Sequence, residues 1–269
     1  MRLPIRIIIS ILIFLFASLS FAQEYSSELA VPNSEQPKRL FLTDLYLQRG
    51  IPSGDNFAGN GLKGGVGYGI RMQFYVPKNF YLGAALTQDF MSVSSTAIVG
   101  EYARATKFNA YFFAGYDYRL NEDWNITADL GYGYSQNKNR QSGSQGGGKF
   151  RDSGNVLRFT SSLEYNFSDG VSFFFSPSYE LVSYNINSAV ALNDTFNKAN
   201  YFNLAIGIRL NVRDYRTIPL GKSENQDLQE LQSRDRADLS IKEKRRLYFL
   251  KKKEVTRQRK ERKNNKSLL

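Results

Sequence analysis

The stretch KFNAYFFAGYDYRL, residues Lys107 to Leu120, is half aromatic or leucine and yet carries a lysine, an aspartate and an arginine. Sorting it by parity resolves the mixture. Even positions give Phe108, Ala110, Phe112, Ala114, Tyr116, Tyr118 and Leu120; odd positions give Lys107, Asn109, Tyr111, Phe113, Gly115, Asp117 and Arg119. All three charges share one parity, which is the period of a β-strand and not of a helix.

The same sorting separates an apolar from a polar face over 66–76, 80–90, 124–134, 156–167 and 201–212. Segments 40–51 and 171–184 are less regular, and Pro177 in the latter predicts an irregularity or bulge. Together these make eight strands. Their connections alternate in length. Pro77–Asn79, Asn121–Asp123 and Ser168–Gly170 are three residues each and end in Asn, Asp or Gly, which tolerate the left-handed position of a tight hairpin. The connections at about 52–65, 92–104, 135–155 and 185–200 are long and polar.

Glycine recurs on the polar parity (Gly67, Gly69, Gly83, Gly115, Gly131, Gly133, Gly207), as a narrow, filled interior favours. Aromatics gather near strand ends on the apolar parity: Phe80, Phe90, Tyr116, Tyr118, Trp124, Tyr132, Tyr134, Tyr165 and Phe167. This layout resembles the small outer-membrane β-barrels of the OmpA/OmpX type over roughly residues 40–213. It also resembles, in its Lys/Asn/Tyr-rich style, outer-membrane barrel proteins of the Bacteroidota, some of which (the PorT-like group) serve secretion and gliding. The resemblance implies short periplasmic turns, longer extracellular loops, an apolar outer band and aromatic girdles. A soluble lipocalin-like barrel is the rival, with the apolar parity turned inward.

Residues 1–22 have the pattern of a secretory signal peptide: Arg2 and Arg6, an apolar run from Ile7 to Leu19, and Ser20-Phe21-Ala22 before the cleavage point. The run is short for a membrane anchor, which needs ~20 residues. The expected organisation is therefore signal peptide 1–22, N-terminal periplasmic segment 23–39, barrel 40–213 and basic periplasmic tail 214–269. Cysteine and histidine are both absent, which excludes disulfides, thiolate metal sites and His-dependent catalysis. No catalytic, cofactor or metal site is expected.

If the polar parity faces inward, it forms a charge network of Asp44, Asp89, Asp117, Asp129, Glu164 and Glu180 with Arg71, Lys107, Arg119, Arg158 and Arg209. Closing the hairpin at 168–170 puts Arg158 opposite Glu180; the other turns put Arg119 opposite Asn125 and Arg71 opposite Ala85, so the last two arginines must seek carboxylates across the lumen. Buried charges left alone are costly, so the network is expected to neutralise itself and plug the barrel. An active site or ion path is the competing reading. The near P-loop at Gly143–Phe150 lacks the required Ser/Thr, and Gly64–Gly69 misses dinucleotide spacing; both read as loop or lumen glycine. The loop 135–155, with Lys138, Arg140, Lys149 and Arg151, is a candidate contact for lipopolysaccharide or simply a solvated loop.

The net charge of +11 is localised, because residues 242–269 hold thirteen Lys and Arg against three Glu. Ser223 with Gln226 and Ser240 with Glu243 are capping-box patterns predicting one or two helices, with a disordered end beyond 256 as the alternative. The basic residues Lys244, Arg245, Arg246, Lys251, Lys252 and Lys253 suit an anionic leaflet, peptidoglycan or an acidic envelope protein; nucleic acid is not expected in that compartment. Three functions stay open: an envelope barrel, an accessory of a secretion or motility machine, and a lipid-active enzyme using carboxylates such as Asp129 or Glu164.

Overall fold

The computed structural model of the 269-residue chain describes residues 38–76, 79–141, 149–186, 190–215, 225–236 and 238–266. The signal-peptide segment 1–22, residues 23–37, Ser223 and most of the near P-loop lie outside the described residues. Residues 38–214 form one compact unit, and the described residues from Tyr215 onward belong to another.

The first unit is a closed antiparallel barrel of eight strands: β1 (Lys38–Ser53), β2 (Gly65–Tyr75), β3 (Phe80–Val93), β4 (Tyr102–Arg119), β5 (Trp124–Gln141), β6 (Lys149–Asn166), β7 (Val171–Tyr184) and β8 (Lys198–Asp214). Each strand pairs with its sequence neighbour, and β8 pairs with β1 from Lys38↔Asp214 to Ser53↔Asn200, which closes the cylinder. No sheet edge is left unpaired between these staves, the condition for a β structure to cross a bilayer.

The faces divide as parity requires. On β1, Leu42, Asp44, Tyr46 and Gln48 are buried while Leu45 and Leu47 are exposed. Phe112 is 77% exposed and Ile206 62%, two of a continuous outward set of Leu, Ile, Val and aromatic side chains. Such a surface is too large and apolar for a soluble protein; hydrocarbon covers it, at a gain of roughly 1.5–3 kcal/mol per large side chain. The lipocalin arrangement is thereby ruled out. Phe80 with Tyr116, edge to face, and Trp124 with Tyr165, tilted, pack in pairs at 5.0 Å near the short turns, and Tyr68 with Phe90 at 6.1 Å lies toward the long loops. These pairs form the two interfacial belts.

Three details depart from the sequence expectation. Asn79 takes φ 64, but it is the only non-glycine residue with positive φ among those described, and Gly170 is not left-handed. The other turns close through side chains instead: the Asn121 Oδ1 accepts from the amides of Asp123 and Trp124 at 2.9 Å, and the Ser168 Oγ accepts from Val171 at 3.1 Å. Pro177 causes no bulge. The β6–β7 register is the same on both sides of it, with Thr160↔Ser178 and Leu163↔Phe175. The Ser161 carbonyl, opposite the proline, accepts the Ser176 hydroxyl at 2.9 Å, a substitute for the N–H that proline lacks.

The third departure is larger. Residues 135–141 and 149–155, expected as loop, continue β5 and β6, with Lys138↔Arg151 and Arg140↔Lys149 in register. Both faces of this extension are polar (Gln136, Lys138 and Arg140 alternate with Ser135, Asn137 and Asn139). Alternation stops where the hydrocarbon stops, and backbone pairing goes on without it.

The long-loop end carries its own small core. Helix α1 (Phe57–Gly61) is capped by the Asn56 side chain, whose Oδ1 accepts from Ala58 and Gly59 at 3.0 Å. The two-residue strand Leu62–Lys63 pairs with Val93 and Ser92 at the end of β3, beside helix α2 (Thr96–Val99). Phe57, Ala58, Leu62, Met91, Val156, Val182 and Tyr184 pack into one apolar cluster, against which Ile98, Val99, Ile186 and Phe196 rest. Phe196 ends the short helix α3 (Asn193–Phe196).

In the second unit, α4 (Gln226–Ser233) and α5 (Ile241–Lys266) follow. Asn225 caps α4, its side chain accepting from Leu228 at 3.1 Å. Ser240 and Glu243 form the reciprocal box: the Ser240 amide donates to Glu243 at 2.8 Å, and the Glu243 amide donates to Ser240 Oγ at 3.3 Å. These bonds, with Arg234, hold the Glu243 carboxyl down at about 2. The helix runs on well past 256.

Candidate functional site

Eight strands leave an interior just wide enough for side chains to fill, and the inward residues here are long. Close backbone approaches make room for them. The Tyr46 ring lies over Gly69, where a Cβ would sit 2.3 Å from its Cζ, and the Phe174 ring lies over Gly207, where a Cβ would sit 2.9 Å from its Cζ. Glycine on the polar parity is thus a seat for an aromatic ring from a neighbouring strand.

The charges assemble into connected groups. Near the short turns, Arg39 donates to both oxygens of Glu164 at 2.7 and 2.8 Å and to Asp117 at 3.0 Å. Arg209 bridges Glu164 at 2.7 Å and Asp44 at 2.7 and 2.8 Å. The Tyr75 hydroxyl donates to Asp117 at 2.7 Å, and Gln73 to Asp44 at 2.7 Å. Arg71 reaches across to Asp129 at 2.5 Å with its guanidinium 4.2 Å over the Phe113 ring. Toward the long loops, Glu180 receives Arg158 at 2.6 Å and is also paired with Lys107, which lies 3.2 Å from Asp89 and 3.8 Å over the Tyr201 ring. Gln48 links the pieces, donating to Asp89 at 2.6 Å and accepting from Arg158 at 3.2 Å.

Nearly every member expected from parity lies on this inward face. Arg158 sits opposite Glu180, Arg71 opposite Ala85 and Arg119 opposite Asn125. Arg119 is only half-buried, at the last position of β4 before the turn. Two arginines escaped the sequence reading. Arg39 points inward together with Asp44, although their parities differ, because the β1–β8 register shifts between Arg39 and Phe41. Arg213 lies at the end of β8, beyond the cleanly alternating run, and donates to Asn166 at 3.0 Å. The doubled apolar pair Leu40-Phe41 was the one signal that a bulge precedes Leu42.

The chemistry of this arrangement is neutralisation. Asp44, Asp89, Asp117, Asp129, Glu164 and Glu180 each face a cation within ion-pair distance. Among the described residues no group of three or more acidic or metal-ligating side chains is arranged to hold a metal ion.

In the second unit, Lys244, Arg245, Lys252 and Lys253 are exposed, Lys251 is half-buried and Arg246 pairs with Asp227 at 2.5 Å. Lys252 also lies 5.7 Å over the ring of Tyr215, which packs with Tyr248 and Val255. Arg245, Phe249 and Lys253 are spaced i, i+4, i+8 and so share one side of α5, with Phe249 65% exposed.

The fold is similar to that of Neisserial surface protein A (14% identity, TM-score 0.46, covering 64% of this chain and 97% of that one). It is likewise similar to the outer membrane protein OprG from Pseudomonas aeruginosa (12%, 0.45, 67% and 99%) and to Ail, the attachment invasion locus protein of Yersinia pestis (15%, 0.37, 65% and 99%). No protein-family model and no curated protein matches the chain. The molecule is a small eight-stranded antiparallel barrel of the outer-membrane type, with the bilayer crossed by its strands.

Proposed function

We propose that this chain is a non-enzymatic integral outer-membrane protein whose barrel anchors a basic helix on the periplasmic side, where the helix engages an anionic envelope surface. The observation that carries the reading is the pairing of each of Asp44, Asp89, Asp117, Asp129, Glu164 and Glu180 with a cation, which leaves none of these six poised as an acid or base. Function then falls to what the barrel presents. Both chain ends of the barrel emerge at the short-turn end, Lys38 beside Asp214, which in barrels of this type is the periplasmic one. The exposed Phe249 among Arg245, Lys252 and Lys253 suits an anionic leaflet, with the ring in the headgroup region and the cations on phosphates.

The test is co-flotation. The full chain in nanodiscs should bind phosphatidylglycerol vesicles and not phosphatidylcholine vesicles. A chain ending after Tyr215 should keep heat-modifiable gel mobility in outer-membrane fractions but lose vesicle binding. Unchanged flotation after truncation would overturn the tail reading, and binding to isolated peptidoglycan alone would replace the leaflet by the wall.

A further inference from the structure

The apolar core at the long-loop end contains one carboxylate that does not belong to the lumen network. Asp152, on the β6 extension, is only 8% exposed, and its cross-strand neighbour is Asn137. Among the described residues its side chain has no hydrogen bond or ion pair. It lines a cavity of about 400 Å³ together with Asn139 and the apolar side chains of Phe57, Val99, Tyr102 and Phe196. That volume falls in the range of small-molecule sites, and the makeup, apolar walls with two polar groups, is the usual one for such sites.

We propose that this cavity binds a small organic cation, a protonated primary amine on an apolar or aromatic body, with Asp152 as its counter-ion. The walls come from three loops, Phe57 from the first, Val99 from the second and Phe196 from the fourth, and from Tyr102 at the start of β4. These loops are fixed against one another. Ser94 donates its amide to Gly61 at 2.9 Å, and a Cβ on Gly61 would meet Val99 at 2.3 Å, so the first and second loops are in direct contact. Asn197 accepts the amide of Ile186 through its Oδ1 at 2.7 Å and that of Tyr184 through its backbone at 2.8 Å, which sets the fourth loop. The site is thus preformed, and the ring of Phe57, held edge-on to Tyr184 at 5.6 Å, offers a rigid face.

Burial raises the Asp152 carboxyl to about 6. This residue stands above the alternating, membrane-spanning part of β6, where side chains on both faces are polar. At neutral pH the group is mostly ionised in an apolar wall, and a bound ammonium offsets the cost of that charge. A neutral ligand of the same shape would fill the walls and leave the carboxylate alone.

The experiment titrates 2-phenylethylamine and its neutral isostere 2-phenylethanol into the full chain in nanodiscs at neutral pH, with empty nanodiscs subtracted. The amine should bind saturably, and the alcohol about tenfold or more weakly. Asp152→Asn should cost the amine about tenfold and leave the alcohol unchanged. Val99→Trp, which fills the cavity without touching the carboxylate, should abolish both, so the proposal remains open to test if the Asp152 variant does not fold. Equal binding of amine and alcohol, amine affinity indifferent to Asp152→Asn, or no saturable binding would each overturn it. The tail plays no part in this outcome.

Discussion

The barrel holds two buried regions that solve the same problem in opposite ways. In the lumen, Glu164 is completely buried and lies between Arg39 and Arg209, so its charge is fully used. In the cap over the long-loop end, burial is achieved by Phe57, Leu62, Val182 and Tyr184, and Asp152, which lines a cavity beside Phe57, has no partner among the described residues. A carboxylate in the first setting is a structural tie; in the second it is a cost held in reserve. Electrostatic context, and not depth of burial, separates them.

The sharpest way to break this contrast is the same chemical change in both places. Glu164→Gln leaves Arg39 and Arg209 with one carboxylate each and should lower unfolding stability in lipid by about 3 kcal/mol, read as a shift in urea midpoint. A shift under about 0.5 kcal/mol would mean that the lumen pairs contribute nothing beyond their own desolvation.

Truncating the cap tests the other side. Phe57→Ala removes a ring that is 4% exposed and should cost about 3 kcal/mol in the local stability of the loops. Amide exchange at Ala58 and Gly59 should accelerate while exchange in the β4–β5 ladder stays slow. Equal acceleration in both would show cap and lumen to be one cooperative unit.

Asp152→Asn should have the smallest effect and the reverse sign. Its folded pKa of about 6 lies above the ordinary aspartate value, so the protonated form is favoured by folding. Wild-type stability should therefore rise as pH falls from 7 to 5, whereas the asparagine variant should be flat over that window and more stable than wild type at pH 7 by about 1 kcal/mol, a figure reduced because the carboxyl opens onto the cavity. A destabilised Asp152→Asn chain at neutral pH would place an unrecognised partner on the carboxylate.

How much of this was legible in the sequence follows from what parity encodes. Period two reports which face of a strand meets lipid, and it located Lys107, Asp117, Arg158 and Glu180 correctly on the inner face. It also fixed adjacent partners, since a three-residue turn sets the register. It could not reveal partners across the lumen, such as Arg71 with Asp129, 58 residues apart, because those depend on the curvature of the whole cylinder. It failed at Arg39, where one extra residue inverts the faces, and it ended β5 at Tyr134, where the outward side chains turn from aromatic to polar although the strand continues to Gln141. The cap was hidden for another reason. It joins strand-end residues such as Val182 and Tyr184 to residues of loops far apart in the chain, such as Phe57 and Phe196, and those loop pieces are too short and too irregular to show a period.

Arg209 carries a consequence for how the molecule comes into being. It lies on the last stave, and its carboxylate partners are Asp44 on the first, 165 residues earlier, and Glu164 on β6. Until β8 meets β1, the seam is open and Asp44, which sits opposite Arg71 of β2, lacks its two bonds from Arg209. Sealing the hydrogen-bonded seam and joining Arg209 to Asp44 are therefore the same step. An unclosed sheet would leave Arg209 without Asp44, so the same contact that neutralises these two groups also ties the last stave to the first.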